Sequence, residues 1–232
     1  MKVFFLCLRQ AFAFALGATS AFAQNHAFAQ DVRVSLDVNN FKTITFAKIP
    51  PTLYQNEGSS LKMLVKKSSA FLLQAFSQPK MVDGISFEWK SDGRPNTKDR
   101  VHERSKEGDD APLRIGLLQS GPEPFIPFFA SSWIKVVRDH MKLPSHEMTY
   151  VAVGTKNPPG TTWQSPYSSS IRIIVAEEKS LADGWSKARF VGKKPMAIVG
   201  LWIMADGDDT QAEFSTMLRD LTLELTPHQG RP

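Results

Sequence analysis

Residues 31–38 read Asp31-Val32-Arg33-Val34-Ser35-Leu36-Asp37-Val38, with valine or leucine at every second position and polar side chains between them. Successive side chains of a strand point to opposite faces, so this alternation predicts a strand buried on one side. Outward from it, comparable short segments recur at about 41–48, 61–65, 70–76, 85–90, 113–119, 148–153, 171–176, 187–191, 197–204 and 219–225. Turn formers separate them, among them Pro50-Pro51, Asp83-Gly84, Asp92-Gly93, Asp183-Gly184 and Asp206-Gly207. Many short strands with frequent turns predict an all-β fold, a β-sandwich. One segment departs from the pattern: Trp133, Ile134, Val136, Val137 and Met141 fall at helical spacing, with Ser131 or Ser132 to cap and Pro144 to stop, and predict one short helix packed over an open end of the sandwich.

The chain has 232 residues, 42% hydrophobic and 22% charged, enough for a well-buried core in one domain. Beyond the first thirty residues no apolar run approaches the roughly 20 residues of a membrane-spanning helix. At the N-terminus Lys2, the apolar stretch 3–16 and the small-residue site Ala21-Phe22-Ala23 have the order of a secretory signal, which predicts a signal peptide at 1–23 and a periplasmic or secreted protein. A second such site, Ala27-Phe28-Ala29, follows. The expected organisation is a single sandwich domain over 31–226 and a flexible tail at 227–232. The sole cysteine, Cys7, lies inside the signal, so the mature chain carries neither disulfide nor thiolate chemistry. Removing Lys2 and Arg9 takes two charges from the formal +5 and leaves +3, too weak a bias to point to nucleic acid.

Two acidic clusters sit where loops meet strands. Asp206-Gly207-Asp208-Asp209-Thr210 follows the apolar run 197–204, so a buried strand delivers Asp206, Asp208 and Asp209 to its end. Closely spaced oxygens suit a hard cation such as calcium, and the same residues also make an ordinary solvated turn. Gly108-Asp109-Asp110-Ala111-Pro112-Leu113-Arg114 leads into a strand with Leu113, Ile115 and Leu117 on one face and Arg114 and Gly116 on the other. Adjacent aspartates in extended chain point opposite ways, so Asp109 and Asp110 are not a catalytic pair by themselves. A pair for glycoside hydrolysis would join Asp110 with Glu88 or Asp208, and the structural alternative is an ion pair from one Asp to Arg114. The polar stretch 90–110 reads as a long surface loop or hairpin arm. Among the aromatics, Trp89 and Trp202 fall inside strands and read as core, whereas Trp163 and Tyr167 lie in the Pro- and Ser-rich segment 157–170, free to meet a ligand or to lock the loop. No G-x-S-x-G, H-E-x-x-H, phosphate-loop or dinucleotide motif is present, and the five histidines are not spaced as zinc ligands.

Ile85-Ser86-Phe87-Glu88-Trp89-Lys90, the segment from Gly108 to Ile115, Met148-Thr149-Tyr150, Asp206-Gly207-Asp208-Asp209-Thr210 and Asp220-Leu221-Thr222-Leu223 together resemble a family of exported bacterial proteins catalogued only as a domain of unknown function (number three-zero-four-seven). The resemblance spans nearly all of the chain after the signal. It implies a periplasmic β-sandwich of jelly-roll character, related in outline to carbohydrate-binding modules, and no established activity. Asp109, Asp110, Arg114, Asp206, Asp208 and Asp209 match it as motif positions.

The expectation is an exported sandwich that binds a cell-envelope glycan or other envelope component without catalysis, the alternative being a polysaccharide hydrolase working through two carboxylates. Asp109, Asp110, Arg114, Trp163 and Tyr167 are the candidate ligand-binding residues. Asp206, Asp208 and Asp209 are the candidate calcium ligands; no other cofactor, no nucleic acid and no membrane span after signal cleavage is expected.

Overall fold

Ala111–Ser120 carries eight successive buried residues, from Ala111 to Leu118, and a strand apolar on both faces must be covered on both. The computed structural model, which describes residues 31–122 and 132–226, does this with one mixed sheet that turns back on itself. Its strands are β1 (Val32–Arg33), β2 (Lys42–Thr45), β3 (Leu53–Glu57), β4 (Ser60–Lys66), β5 (Ala70–Ser91), β6 (Ala111–Ser120), β7 (Ser145–Val153), β8 (Thr162–Gln164), β9 (Ile171–Val175), β10 (Glu177–Ser180), β11 (Ser186–Asp206) and β12 (Glu213–Leu225), with the helix α1 (Ser132–His140) between β6 and β7. The main path runs β3-β4-β12-β5-β11-β6-β7-β9-β8; β1 adds to β12, β2 to β5 and β10 to β11, and among the described residues the β7–β9 pair alone is parallel. The fold is therefore all-β and sandwich-like.

β5 and β11 make the turn-back possible, because each is a long strand divided by an irregularity. Val191 pairs with Gly84 and Met196 with Val82, so Gly192-Lys193-Lys194-Pro195 bulges from β11; Ile198 pairs with Lys80 and Gly200 with Ala75, so Phe76 to Pro79 bulges from β5. Each bulge contains a proline, which has no N–H to give a ladder. Beyond the bulges the two halves of each strand join different neighbours. The first part of β5 pairs with β2 and the end of β11, and its last part pairs with β12 and the start of β11. One buried cluster lies inside the fold, where Leu61, Met63, Leu218 and Leu223 of β4 and β12 pack toward Leu113, Ile115, Val151 and Ile203. A second lies on the other face of β6, β7 and β11, where Trp202, Met204, Tyr150, Phe71 and Ile44 are covered by Phe46 and by Trp133 and Val137 of α1.

The expected segments 70–76 and 85–90 are thus one strand, as are 187–191 and 197–204; the turn expected at Asp83-Gly84 lies within β5, where Gly84 pairs with Val191 and Glu224, and the bulge of that strand comes earlier, at Phe76 to Pro79. Segment 31–38 keeps its burial alternation, with Val34 and Leu36 each 8% exposed, but only Val32–Arg33 is laddered. The Asp37 carboxylate caps a single helical turn at Val38–Asn40 by accepting from Asn39 N–H. β3 and β10 contain no buried residue and β8 has three residues, so none carries a readable pattern. The stretch 90–110 is not simply a surface arm. Two short helical turns, His102–Arg104 and Lys106–Gly108, bury the Glu103 carboxylate, which accepts from the backbone N–H groups of Lys156 and Asn157 and from the Asn157 amide. The signal segment, its cleavage sites, Cys7 and the 227–232 tail lie outside the described residues. Among the described residues no helix is long and apolar enough to cross a membrane.

Candidate functional site

Strand alternation lines up the site. Along β11, Leu201, Ile203 and Ala205 face the inner cluster, so Trp202, Met204 and Asp206 share the opposite face. In register beside them stand Arg114 and Gly116 of β6 and then Ala152 and Tyr150 of β7. Gly116 is the narrow point: a Cβ there would lie 2.9 Å from Trp202 Cβ and 3.2 Å from the Tyr150 ring, so its absence lets those two rings meet edge to face at 5.8 Å.

Arg114 is 3% exposed and holds the acidic segments together. Its guanidinium donates to the Asp109 carboxylate at 2.8 Å and to the Asp109 carbonyl at 3.0 Å, and lies 3.6 Å from the Asp206 carboxylate. Asp206 in turn accepts from Ala111 N–H at 3.0 Å. Asp110 reaches the other way, accepting from the backbone N–H groups of Asp209 and Thr210 at 3.3 and 2.6 Å. The two adjacent aspartates thus do different work, one fixing Arg114 and the other folding the turn after β11. Asp209 receives the Tyr167 hydroxyl at 2.8 Å. Carboxylate oxygens of Asp110, Asp206 and Asp208 lie within 4.8 Å of one another, so the converging trio contains Asp110 where the sequence suggested Asp209.

Burial sets the protonation behaviour of this cluster, because a charge moved out of water is disfavoured. It raises Asp109 and, further, Asp206, in both cases against the pull of Arg114. Asp208 is raised by burial and then by Asp110, and Asp209 is pushed up to about 6, mainly by burial. The Tyr167 hydroxyl is raised too, by burial and by its bond to Asp209.

A cavity of about 270 Å3 opens on this face. Its lining joins Asp208 and Asp209, with Ser69, Ser165 and Tyr167, to the aromatic and apolar side chains of Phe46, Trp133, Ile171 and Trp202. Asp109, Arg114 and Asp206 also line it. Of the residues singled out in the sequence, Asp110 lies behind the turn it holds. Trp163 is not part of the lining: it packs on the second cluster with the Arg104 guanidinium 5.6 Å from its ring centre. Trp133 and Trp202 were not expected here. Trp202 has the alternation of a core residue, being 4% exposed, and only its neighbours show that its face borders a cavity. Trp133 had a readable signal, an indole opening an amphipathic helix.

A family model described as "Protein of unknown function (DUF3047)" matches residues 39–222. No curated protein matches the chain.

Proposed function

The chain belongs to the DUF3047 family, and for it we propose an exported, non-catalytic binding protein that holds one sugar unit of a cell-envelope glycan in the cavity between α1 and the acidic turn. The observation that carries this reading is the union, in one cavity, of half-buried acceptors and hydroxyls with an aromatic wall. Asp208 and Asp209 accept hydrogen bonds, which sugar hydroxyls donate, and the Trp133 indole offers an apolar surface to a pyranose ring. Few but convergent polar groups in a largely apolar concavity are the general form of a small-ligand site.

The hydrolase reading has one observation in its favour, the raised Asp208 and Asp209 carboxyls, since a general acid must keep its proton near neutral pH. A second carboxylate is then required across the scissile bond. Asp110 and Asp206 are already committed to backbone N–H groups, and Asp109 and Asp206 to Arg114. That leaves two sequence neighbours in the turn, which favours binding over turnover.

A glycan array followed by titration of the best ligand tests the proposal. The expected result is saturable binding with no new reducing ends, weakened at least about tenfold by Asp209→Asn and by Trp133→Ala. Reducing ends that disappear in Asp208→Asn would put the hydrolase in its place. Failure to bind any glycan would remove both.

A further inference from the structure

A second cavity, of about 510 Å3, lies beneath α1. Leu118, Val137, Met141, Leu143 and Met148 are among its apolar lining residues, and Arg138, Lys142, His146 and Glu147 are among its polar ones. No residue of α1 is fully buried, although its apolar face carries Trp133 and Val137. The helix therefore roofs an apolar space more than it closes it. Met141 and Met148 are flexible thioethers that fit irregular apolar shapes.

This space adjoins the acid-lined cavity, with which it shares Trp133, Ile171 and Trp202. Both are lined mostly by apolar surface, and they differ in their polar groups: Asp109, Asp206, Asp208, Asp209 and the hydroxyls of Ser165 and Tyr167 line the first, whereas the second has Glu147 as its one carboxylate among the described residues. A single ligand matching both would carry a polar, hydroxyl-rich head and an unbranched apolar tail.

We infer that the ligand is an acylated saccharide, its sugar in the acid-lined cavity and its alkyl chain beneath α1. The inference rests on the saccharide reading above and adds the class of molecule that bears the sugar. Burial of a methylene contributes about 0.8 kcal/mol, so affinity should climb roughly fourfold with each carbon that enters the cavity.

The test is calorimetric titration of the mature protein with free maltose, with maltosides of octyl, decyl and dodecyl chains below their micellar concentrations, and with dodecanoate. The expected result is a steep rise in affinity along the maltoside series, a negative heat-capacity change that grows with chain length, and weaker binding of dodecanoate than of dodecyl maltoside. Ile134→Trp, which crowds the space beneath α1 from a residue outside both buried clusters, should flatten the series while leaving maltose affinity near the parent value. Val137→Trp should flatten it too, with a lower melting temperature because Val137 packs on the second cluster. A flat series with maltose still bound overturns the inference and leaves the saccharide reading standing. A steep series in which dodecanoate matches dodecyl maltoside overturns the joined ligand and counts against the sugar site itself. Absence of binding by every maltoside overturns the inference outright.

Discussion

Arg114 is the residue on which the acidic half of the protein depends. Removing one partner of a buried charge pair leaves the other uncompensated, at a cost of about 3–5 kcal/mol. Arg114→Met should therefore lose roughly that much in urea unfolding, because Asp109 and Asp206 would both be left without their guanidinium. The protons follow a related argument. Asp209, held up to about 6 by burial, titrates near 3.9 in an unfolded chain, and Asp109, Asp206 and Asp208 are displaced in the same direction. Between about pH 4 and 6 Asp209 binds more protons in the folded state than in the unfolded one, so its contribution to stability is full at the acid end and lost as pH rises through about 6, and the other three act in the same sense. Asp37, Asp92, Asp99 and Asp183 are held below the usual range by hydrogen bonds, and what they contribute is lost only at lower pH. His140, lowered by burial, acts in the opposite sense over the same interval, so the test is the difference between proteins: Asp209→Asn should lower the melting temperature at about pH 5 relative to that at about pH 7 when compared with the parent, and an unchanged difference would contradict the assignment. Much of this was readable from residue order alone. The alternation Leu113, Arg114, Ile115, Gly116, Leu117 put Arg114 opposite the inner face, and paired aspartates in extended chain had to diverge. What residue order could not show is that a turn from the far end of the sequence folds over the same guanidinium.

The elements differ in how firmly they are held. β6 and the latter half of β11 are buried on both faces, whereas α1 has no fully buried residue. Backbone amides of Ile115 and Ile203 should exchange with solvent only through global unfolding, and those of α1 through local opening that is much faster; equal protection in native-state hydrogen exchange would refute this ordering. Gly116 marks where three strands crowd together, and Gly116→Val should cost about 1–3 kcal/mol by forcing apart Trp202 and Tyr150. The strands that reasoning from sequence located are those with a buried face. The ones it missed, β3, β8 and β10, are exposed or very short, and are ordered by the ladder bonds they make to neighbours rather than by a pattern of their own. Likewise the halves of β5 and β11 were located as separate segments, although the turn expected at Asp83-Gly84 is part of β5. Whether the chain turned away there or only bulged depended on distant pairing partners, which local composition does not encode.

At the scale of the whole molecule, the charge balance of the acidic cluster bears on metal. Asp110, Asp206 and Asp208 are close enough to share a cation, yet Arg114 already brings positive charge to Asp206 and the amides of 209 and 210 occupy Asp110. Chelator should therefore leave the melting temperature unchanged, and added calcium should not raise it; a rise that grows with calcium concentration would establish a bound ion by mass action. Export is tested by the N-terminus of protein recovered from the periplasm, expected at Gln24. The sheet's connectivity adds a kinetic side to that expectation. β12 lies between β4 and β5, and Phe71 is paired with Met204, so the middle of the sheet is built from residues far apart in the chain. Such non-local pairing makes folding slow, since the entropy of closing long loops is spent before the contacts form. Until residues 213–225 have been made, β4 and the last part of β5 lack the strand that joins them. A nascent chain of this topology lingers as a threadable polymer, the physical state in which a polypeptide passes through a narrow translocation channel.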